Sequence, residues 1–198
     1  MSPCLDSPSR ISSPLTAAAL RDLTCGRRVL LTGPVLLARE AALRRMAQEI
    51  ERGKALPFNP EGAVLFHGGF TPPPPEREIG SIGPTTSLRM DPWTPPLLRA
   101  GVRGMIGKGK RSPKIVAAIL EFGAVYLGAT GGAAALLSRS VRSVYPLLFG
   151  DLGSEEPYLL EVFELPLVVA IDAEGNDLFE QGQKKFIKGT NQKQNNGW

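Results

Sequence analysis

Short apolar runs separated by glycine- and proline-rich breaks, with a few stretches of helical spacing between them, set the rhythm of this 198-residue chain. Arg28-Val29-Leu30-Leu31-Thr32 reads as a first strand that Gly33-Pro34 should stop, and Ala63-Val64-Leu65-Phe66-His67 as a second, buried strand ending at Gly68-Gly69. Between them Ala38–Glu51 is the clearest helix: Leu43, Met46 and Ile50 share one face, and Glu40 precedes Arg44 by four residues, a mildly stabilising pair. A short helix is expected over Leu15–Leu23 with Thr16 as its N-cap, and another over Pro95–Gly101. Gly104–Gly107 and Ala124–Leu127 are strand-like. Ser112-Pro113 supplies an N-cap and first position for a helix to Glu121, with Ile115, Ala118 and Ile119 inward. Tyr158–Phe163 and Leu167–Ile171 give two further strands, followed by a turn over Asp172–Asp177.

The pattern is that of an α/β protein: a single domain over residues 15–181 with flexible termini. Residues 1–14, rich in Ser and Pro, read as a flexible leader, and residues 182–198 as a basic, disordered tail. Thr71–Glu78, with four consecutive prolines, is a stiff connector. The 22 glycines and 18 prolines favour a loop-rich domain over a helical bundle, and no apolar run approaches the roughly 18 residues of a membrane span.

Charge changes the picture little. The net +4 comes from Lys184, Lys185, Lys188 and Lys193, leaving 19 basic against 19 acidic side chains over residues 1–183. A neutral body without a basic face argues against nucleic-acid binding. Two scattered cysteines, Cys4 and Cys25, and no secretory signal point to a reduced, cytoplasmic setting.

Candidate chemistry gathers in Gly83-Pro84-Thr85-Thr86-Ser87-Leu88-Arg89-Met90-Asp91 and Gly107-Lys108-Gly109-Lys110. Turn-forming and hydroxyl residues leading into an arginine, with a glycine-flanked lysine, suit a small dianion, because arginine grips carboxylates bidentately and lysine adds a point charge. Arg39 at the start of a helix is opposed by the helix dipole, so something else requires it. Gly104 to Arg111 nearly spells a phosphate loop, but Arg111 cannot give Mg²⁺ the hydroxyl that motif supplies. No GxSxG elbow occurs, and His67, the only histidine, has no ligand-spaced Cys or carboxylate neighbours, so it reads as structural and no metal site is expected. Arg39, Thr85, Thr86, Arg89 and Lys108 amount to half a site.

These runs resemble the β subunit, or C-terminal domain, of class I iron–sulfur fumarate hydratases and L-tartrate dehydratases. Leu31-Thr32-Gly33 with Arg39-Glu40-Ala41-Ala42, Gly83–Asp91, Met105–Gly109, Gly131–Leu136, Asp151–Glu155 and Asp172–Leu178 stay in family order. The resemblance implies a swivelling β/β/α domain and a hydro-lyase active only as a heteromer. A partner α subunit would carry the 4Fe–4S cluster, and this chain would bind no cofactor alone. It implies that Arg39, Arg89 and Lys108, with Thr86, orient the carboxylates of fumarate or malate. Thr85 would be the catalytic base and Asp91 a supporting residue. The Gly-Gly-Ala-Ala-Ala run is nearer the fumarase branch than the tartrate branch. Leu43 stands where the family has histidine, Glu40 where it has aspartate, and Gly68-Gly69 where it has Gly-Pro. These departures keep a tartrate dehydratase β subunit and a non-catalytic anion-binding or regulatory module as alternatives.

Overall fold

In the computed structural model, which describes residues 7–75, 79–147 and 149–184, the two apolar runs early in the chain become neighbouring parallel strands. In chain order the elements are β1 (Ser9–Ser12), α1 (Ala17–Asp22), β2 (Arg28–Ala38), α2 (Glu40–Glu51), β3 (Val64–Phe70), β4 (Ile82–Pro84), α3 (Thr94–Ala100), β5 (Gly104–Gly107), α4 (Pro113–Phe122), β6 (Val125–Gly128), α5 (Ala134–Leu137), β7 (Val141–Pro146) and β8 (Tyr158–Ile171). β2, β3, β5 and β6 run parallel. β8 is antiparallel to both β6 and β2 and so closes a five-stranded barrel. β1 adds to β2 and β7 to β8 outside that ring, and β4 pairs with the end of β3.

The apolar runs lack alternation because both faces of the parallel strands are covered. Val35, Leu37, Val64, Phe66, Ile106, Val125 and Leu127 point into the barrel with β8 residues such as Leu160 and Val169. Their neighbours Leu36, Leu65, Met105 and Tyr126 point outward against Met46 of α2, Leu97 and Leu98 of α3, and Ile115 and Ile119 of α4. The result is a mixed α/β domain with one core inside the barrel and a second between barrel and helices.

Several expectations need correction. β2 does not stop at Gly33-Pro34. It takes β1 as neighbour over Val29–Thr32 and β3 over Leu36–Ala38, so Pro34, lacking an N–H, falls between the two pairings. A bulge opposite β8 sits at the same place. Gly33 (φ +111°) is required there, because a Cβ would stand 2.5 Å from the Ser13 carbonyl oxygen. Residues 9–12, expected in a flexible leader, are β1. The expected strands over Tyr158–Phe163 and Leu167–Ile171 are one strand, since both halves pair with β2 and only Glu164 (φ 51°) kinks between them. β3 continues through Gly68-Gly69 because β4 pairs with it there. Glu40 pairs with Arg89, 2.9 Å away, not with Arg44.

The expected Thr16 cap of α1 is present, accepting a hydrogen bond from the Ala19 amide at 3.2 Å. α4 closes on Gly123 in the left-handed conformation. Residues 178–184 are helical, so Gly182–Lys184 continue an ordered element where the tail was expected to begin. Cys4, Glu76–Glu78 of the proline-rich connector and residues 185–198 of the tail lie outside the described residues.

Candidate functional site

Four parallel strands end on the same side of the barrel, and the candidate residues sit at or just beyond those ends. Arg39 follows β2, Lys108 follows β5, and the Gly131-Gly132 turn follows β6. The Gly68–Phe70 end of β3 carries β4 and with it Thr85, Thr86 and Arg89. This is the rim at which open parallel sheets place ligands, because the loops there are free of strand pairing. The Thr85 amide donates to the His67 carbonyl at 2.8 Å, and the Lys108 amide to the Thr85 carbonyl at 3.3 Å. The Ser87 amide donates to the Lys108 carbonyl at 3.0 Å, and Thr86 bridges Lys108 in parallel register. Thr85-Thr86 and Lys108, which belong to separate runs of the sequence, are thus joined backbone to backbone. Lys108 also reaches over Gly131, where a Cβ would stand in ordinary contact with its Cδ at 3.6 Å.

Arg39 and Arg89 approach the same rim by different routes. Arg39 is the N-cap residue of α2 and makes no capping bond with its side chain. Its guanidinium instead faces Glu155 at 3.8 Å, and its Cδ lies over Gly69. The Glu155 carboxylate in turn accepts from the Ala41 amide at 2.8 Å, so an acidic residue from the β7–β8 connection satisfies the α2 terminus. Arg89 holds Glu40, the first residue of α2, while both side chains remain substantially exposed. Both arginines, Thr86 and Lys108 therefore keep their polar groups open to solvent, and Thr85 is half-buried. A cleft of about 290 Å³ opens beside Arg39, lined also by Gly69, Phe70, Ser154, Glu156 and Tyr158; Thr85, Thr86, Arg89 and Lys108 do not line it.

Asp91 does not face the rim. One carboxylate oxygen accepts from Arg111 Nε at 2.6 Å and the other from the Ser112 amide at 2.7 Å, which makes Asp91 the effective cap of α4. Arg111 is completely buried. It also donates to Thr94 Oγ1 at 3.0 Å and lies under the Tyr126 ring at 5.2 Å. Sequence reasoning met Arg111 only as the residue that spoils a phosphate loop, since nothing in the chain's pattern marks a pair twenty residues apart. The structure sets that motif aside independently: Gly104 and Gly107 lie within β5, and α4 starts only at Pro113. Gly107 has a steric reason of its own, because a Cβ there would collide with Ser87 Oγ. Since Ser87 is fully buried and cannot yield, Gly107→Ala should cost about 1–3 kcal/mol of unfolding free energy, read from urea denaturation.

His67 is buried in β3, as the structural reading expected, and its Nδ1 lies 3.0 Å from Ser87 Oγ. Burial, and secondarily the Arg111 charge, hold it well below its ordinary value of 6.5, so the folded protein keeps the ring neutral. The unfolded chain binds a proton below about pH 6.5. The stability this group contributes is therefore complete above that pH and is lost as the pH falls toward the folded value. Between pH 7.5 and 5.5 the wild type should lose about 1.3 kcal/mol more than His67→Gln, measured by urea denaturation at both pH values.

No three His, Cys, Asp or Glu side chains converge as a metal site among the described residues. Cys25, the cysteine among them, lies near the start of β2 at the opposite end of the barrel from the rim. Burial, then Asp172 and Asp177, push its thiol up, away from the thiolate a metal needs. The described residues of this chain do not fit as ligands of an iron–sulfur cluster. No helix among them is long and apolar enough to cross a membrane.

The mixed α/β barrel thus places two arginines, a lysine and two threonines at the carboxyl rim of its parallel strands. Residues 8–182 match the family model described as Fumarase C-terminus, and the chain belongs to that family. The mitochondrial fumarate hydratase 1 of Leishmania major is 37% identical over 156 residues, covering 78% of this chain and 28% of the relative. The aerobic class I fumarate hydratase of Escherichia coli is 32% identical over 168 residues, covering 84% and 31%. The L(+)-tartrate dehydratase subunit beta of Escherichia coli is 30% identical over 187 residues, covering 90% of each chain. The chain thus spans less than a third of the length of the two fumarate hydratases and most of the tartrate dehydratase subunit.

Proposed function

We propose that this chain is the β subunit of a class I hydro-lyase that reversibly adds water to fumarate to give malate. The observation that carries the reading is the gathering of Arg39, Thr85, Thr86, Arg89 and Lys108 on one rim. Hydration places a hydroxyl on one alkene carbon and a proton on the other. In the reverse direction a proton leaves the carbon next to a carboxylate, and negative charge spreads into that carboxylate. Arg39, Arg89 and Lys108 bind the two carboxylates and stabilise the charge as it develops, with Thr86 as a further hydrogen-bonding group. Their present partners, Glu155 and Glu40, occupy the guanidinium groups as a substrate carboxylate would.

Thr85 is the group we place beside the carbon that exchanges its proton. A threonine hydroxyl is too weak a base alone and needs a carboxylate to accept its proton. Asp91 cannot serve, because both of its oxygens are engaged beneath the rim, so it supports the loop and the activating carboxylate comes from the partner. Class I fumarate hydratases depend on a 4Fe–4S cluster, and we place it on a partner α subunit, since this chain's described residues do not form its ligand set. In this reading the domain is of the swivelling β/β/α kind, helices layered on one side of the barrel, and the assembly is a cytoplasmic heterodimer or heterotetramer. Co-purification with a cluster-bearing α subunit followed by a fumarate hydration assay tests it. An assembled, cluster-loaded complex that turns over no 2-hydroxy diacid would sink the enzyme reading.

Two other readings rest on specific observations. The 30% identity to the Escherichia coli tartrate dehydratase subunit supports L-tartrate as the alternative substrate, so the assay is run on both diacids. Leu43, where the family has histidine, is buried in the core between barrel and helices, and Gly69, where it has proline, packs against the Arg39 side chain, whose Cδ would stand 3.4 Å from a Cβ there. Both departures support a non-catalytic anion-binding or regulatory module. Tight dicarboxylate binding by the isolated chain in calorimetry would favour the module, whereas binding only after the partner is added would favour a divided site.

A further inference from the structure

Arg39 is a cation at the start of α2, where the partial positive charge of the helix terminus opposes it, and its side chain takes no part in capping. Glu155 answers both features. One carboxylate oxygen accepts from the Ala41 amide at 2.8 Å, and the other stands 3.8 Å from an Arg39 terminal nitrogen. The first contact is a hydrogen bond. The second is an ion pair too long for one, so it takes none of the guanidinium's N–H donors. The stem of Arg39 is held separately, since a Cβ on Gly69 would lie 3.4 Å from its Cδ and 3.9 Å from its Nε.

Glu155 is itself fixed in place. Its amide donates to the Leu152 carbonyl at 3.0 Å, and the carboxylate of the next residue, Glu156, accepts from the Phe149, Gly150 and Leu152 amides at 2.8, 2.9 and 3.1 Å. Residues 149–156 are thereby folded around Glu156. The loop then fastens to α2 one turn further on, where Arg45 donates to Asp151 at 3.0 Å and lies over the Phe149 ring at 5.9 Å. Ala41 and Arg45, four residues apart, share one face of the helix, so the loop docks along that face and carries Glu155 to the helix start. We propose that Glu155 is a positioning residue: it offsets the α2 terminus and holds the Arg39 guanidinium at the rim by charge, leaving the planar fork for a substrate carboxylate. The proposal rests on the reading of Arg39 as a carboxylate-binding residue. Both side chains of the pair are partly exposed, so it adds little to stability, and its effect is on where the guanidinium stands.

Glu155→Gln separates this role from plain helix capping. Glutamine keeps a carbonyl oxygen for the Ala41 amide and removes the charge that faces Arg39. In the assembled complex it should raise KM for fumarate about tenfold with kcat within about twofold, because the substrate must then order the guanidinium as it binds. The urea midpoint should stay at the wild-type value. In an Arg39→Gln background the same change should add nothing further to KM. A wild-type KM in Glu155→Gln would leave Glu155 only its cap and overturn the proposal, as would an increase that adds in full to that of Arg39→Gln. A second readout needs no turnover. Phenylglyoxal labelling of the full chain, mapped by peptide mass, should modify Arg39 about threefold faster in Glu155→Gln, since the reagent attacks the unprotonated guanidine that a neighbouring carboxylate disfavours. Exposed Arg44 serves as the reference. Equal Arg39 labelling in variant and wild type would overturn the proposal. A complex without turnover would end the hydro-lyase reading, while the labelling would still decide whether Glu155 holds Arg39.

Discussion

Arg89→Lys should lower kcat/KM for fumarate about 10- to 100-fold in the assembled enzyme, from losing about 1.5–3 kcal/mol of charge-assisted hydrogen bonding. The substitution keeps the positive charge and allows a pair with Glu40. What it removes is the planar fork that can hold Glu40 and a substrate carboxylate, or both oxygens of one carboxylate, at the same time. Arg89 is mostly solvent-exposed, so the variant should fold normally, and an unchanged urea midpoint would confirm that the loss is local. Steady-state kinetics on the purified complex measures the effect. Wild-type turnover in this variant would remove Arg89 from the site.

The largest stability effect should come from Arg111→Met, at about 3–5 kcal/mol, because it leaves the Asp91 carboxylate buried without its cation. The loss exceeds that of an ordinary hydrogen bond: Arg111 also satisfies Thr94 and stacks beneath Tyr126. Pairing the change with Asp91→Leu should recover part of the loss, since the stranded charge is then gone, but not all of it. Asp91 also accepts from the Ser112 amide at the start of α4, and leucine cannot. Urea denaturation of both singles and the double variant gives the coupling between them. A loss below about 1 kcal/mol for Arg111→Met would mean that the site relaxes to admit water, and the clamp beneath the rim would need another explanation.

These two arginines show how unevenly the site was legible. Arg89 could be marked as a candidate from sequence because it stands in a contiguous run with Thr85 and Thr86 after a tight turn. Arg111 could not, since its meaning lies in a partner twenty residues away in sequence and in complete burial, which no local pattern reports. The same holds for Tyr126 and Ser87, whose side chains looked like ordinary strand and turn residues. Glu40 was misread for the opposite reason. Its local helical partner Arg44 was visible, while the competing partner Arg89 was brought close only by folding.

The fold divides along the same line. The apolar runs, the cap at Thr16 and the helical face of Leu43, Met46 and Ile50 determined most strands and helices, because each depends on interactions within a few residues, whereas the expected Ser112 cap makes no side-chain bond and α4 takes Asp91 instead. Closure of the barrel did not follow from them. It required the two halves of β8 to find one strand, β2, across more than a hundred residues, and Gly33 to absorb the bulge that this pairing creates. By itself the sequence singled out the candidate anion-holding residues and the family that the chain belongs to. Only the tertiary structure decided that their loops meet on one rim, because that juxtaposition depends on strand order and direction.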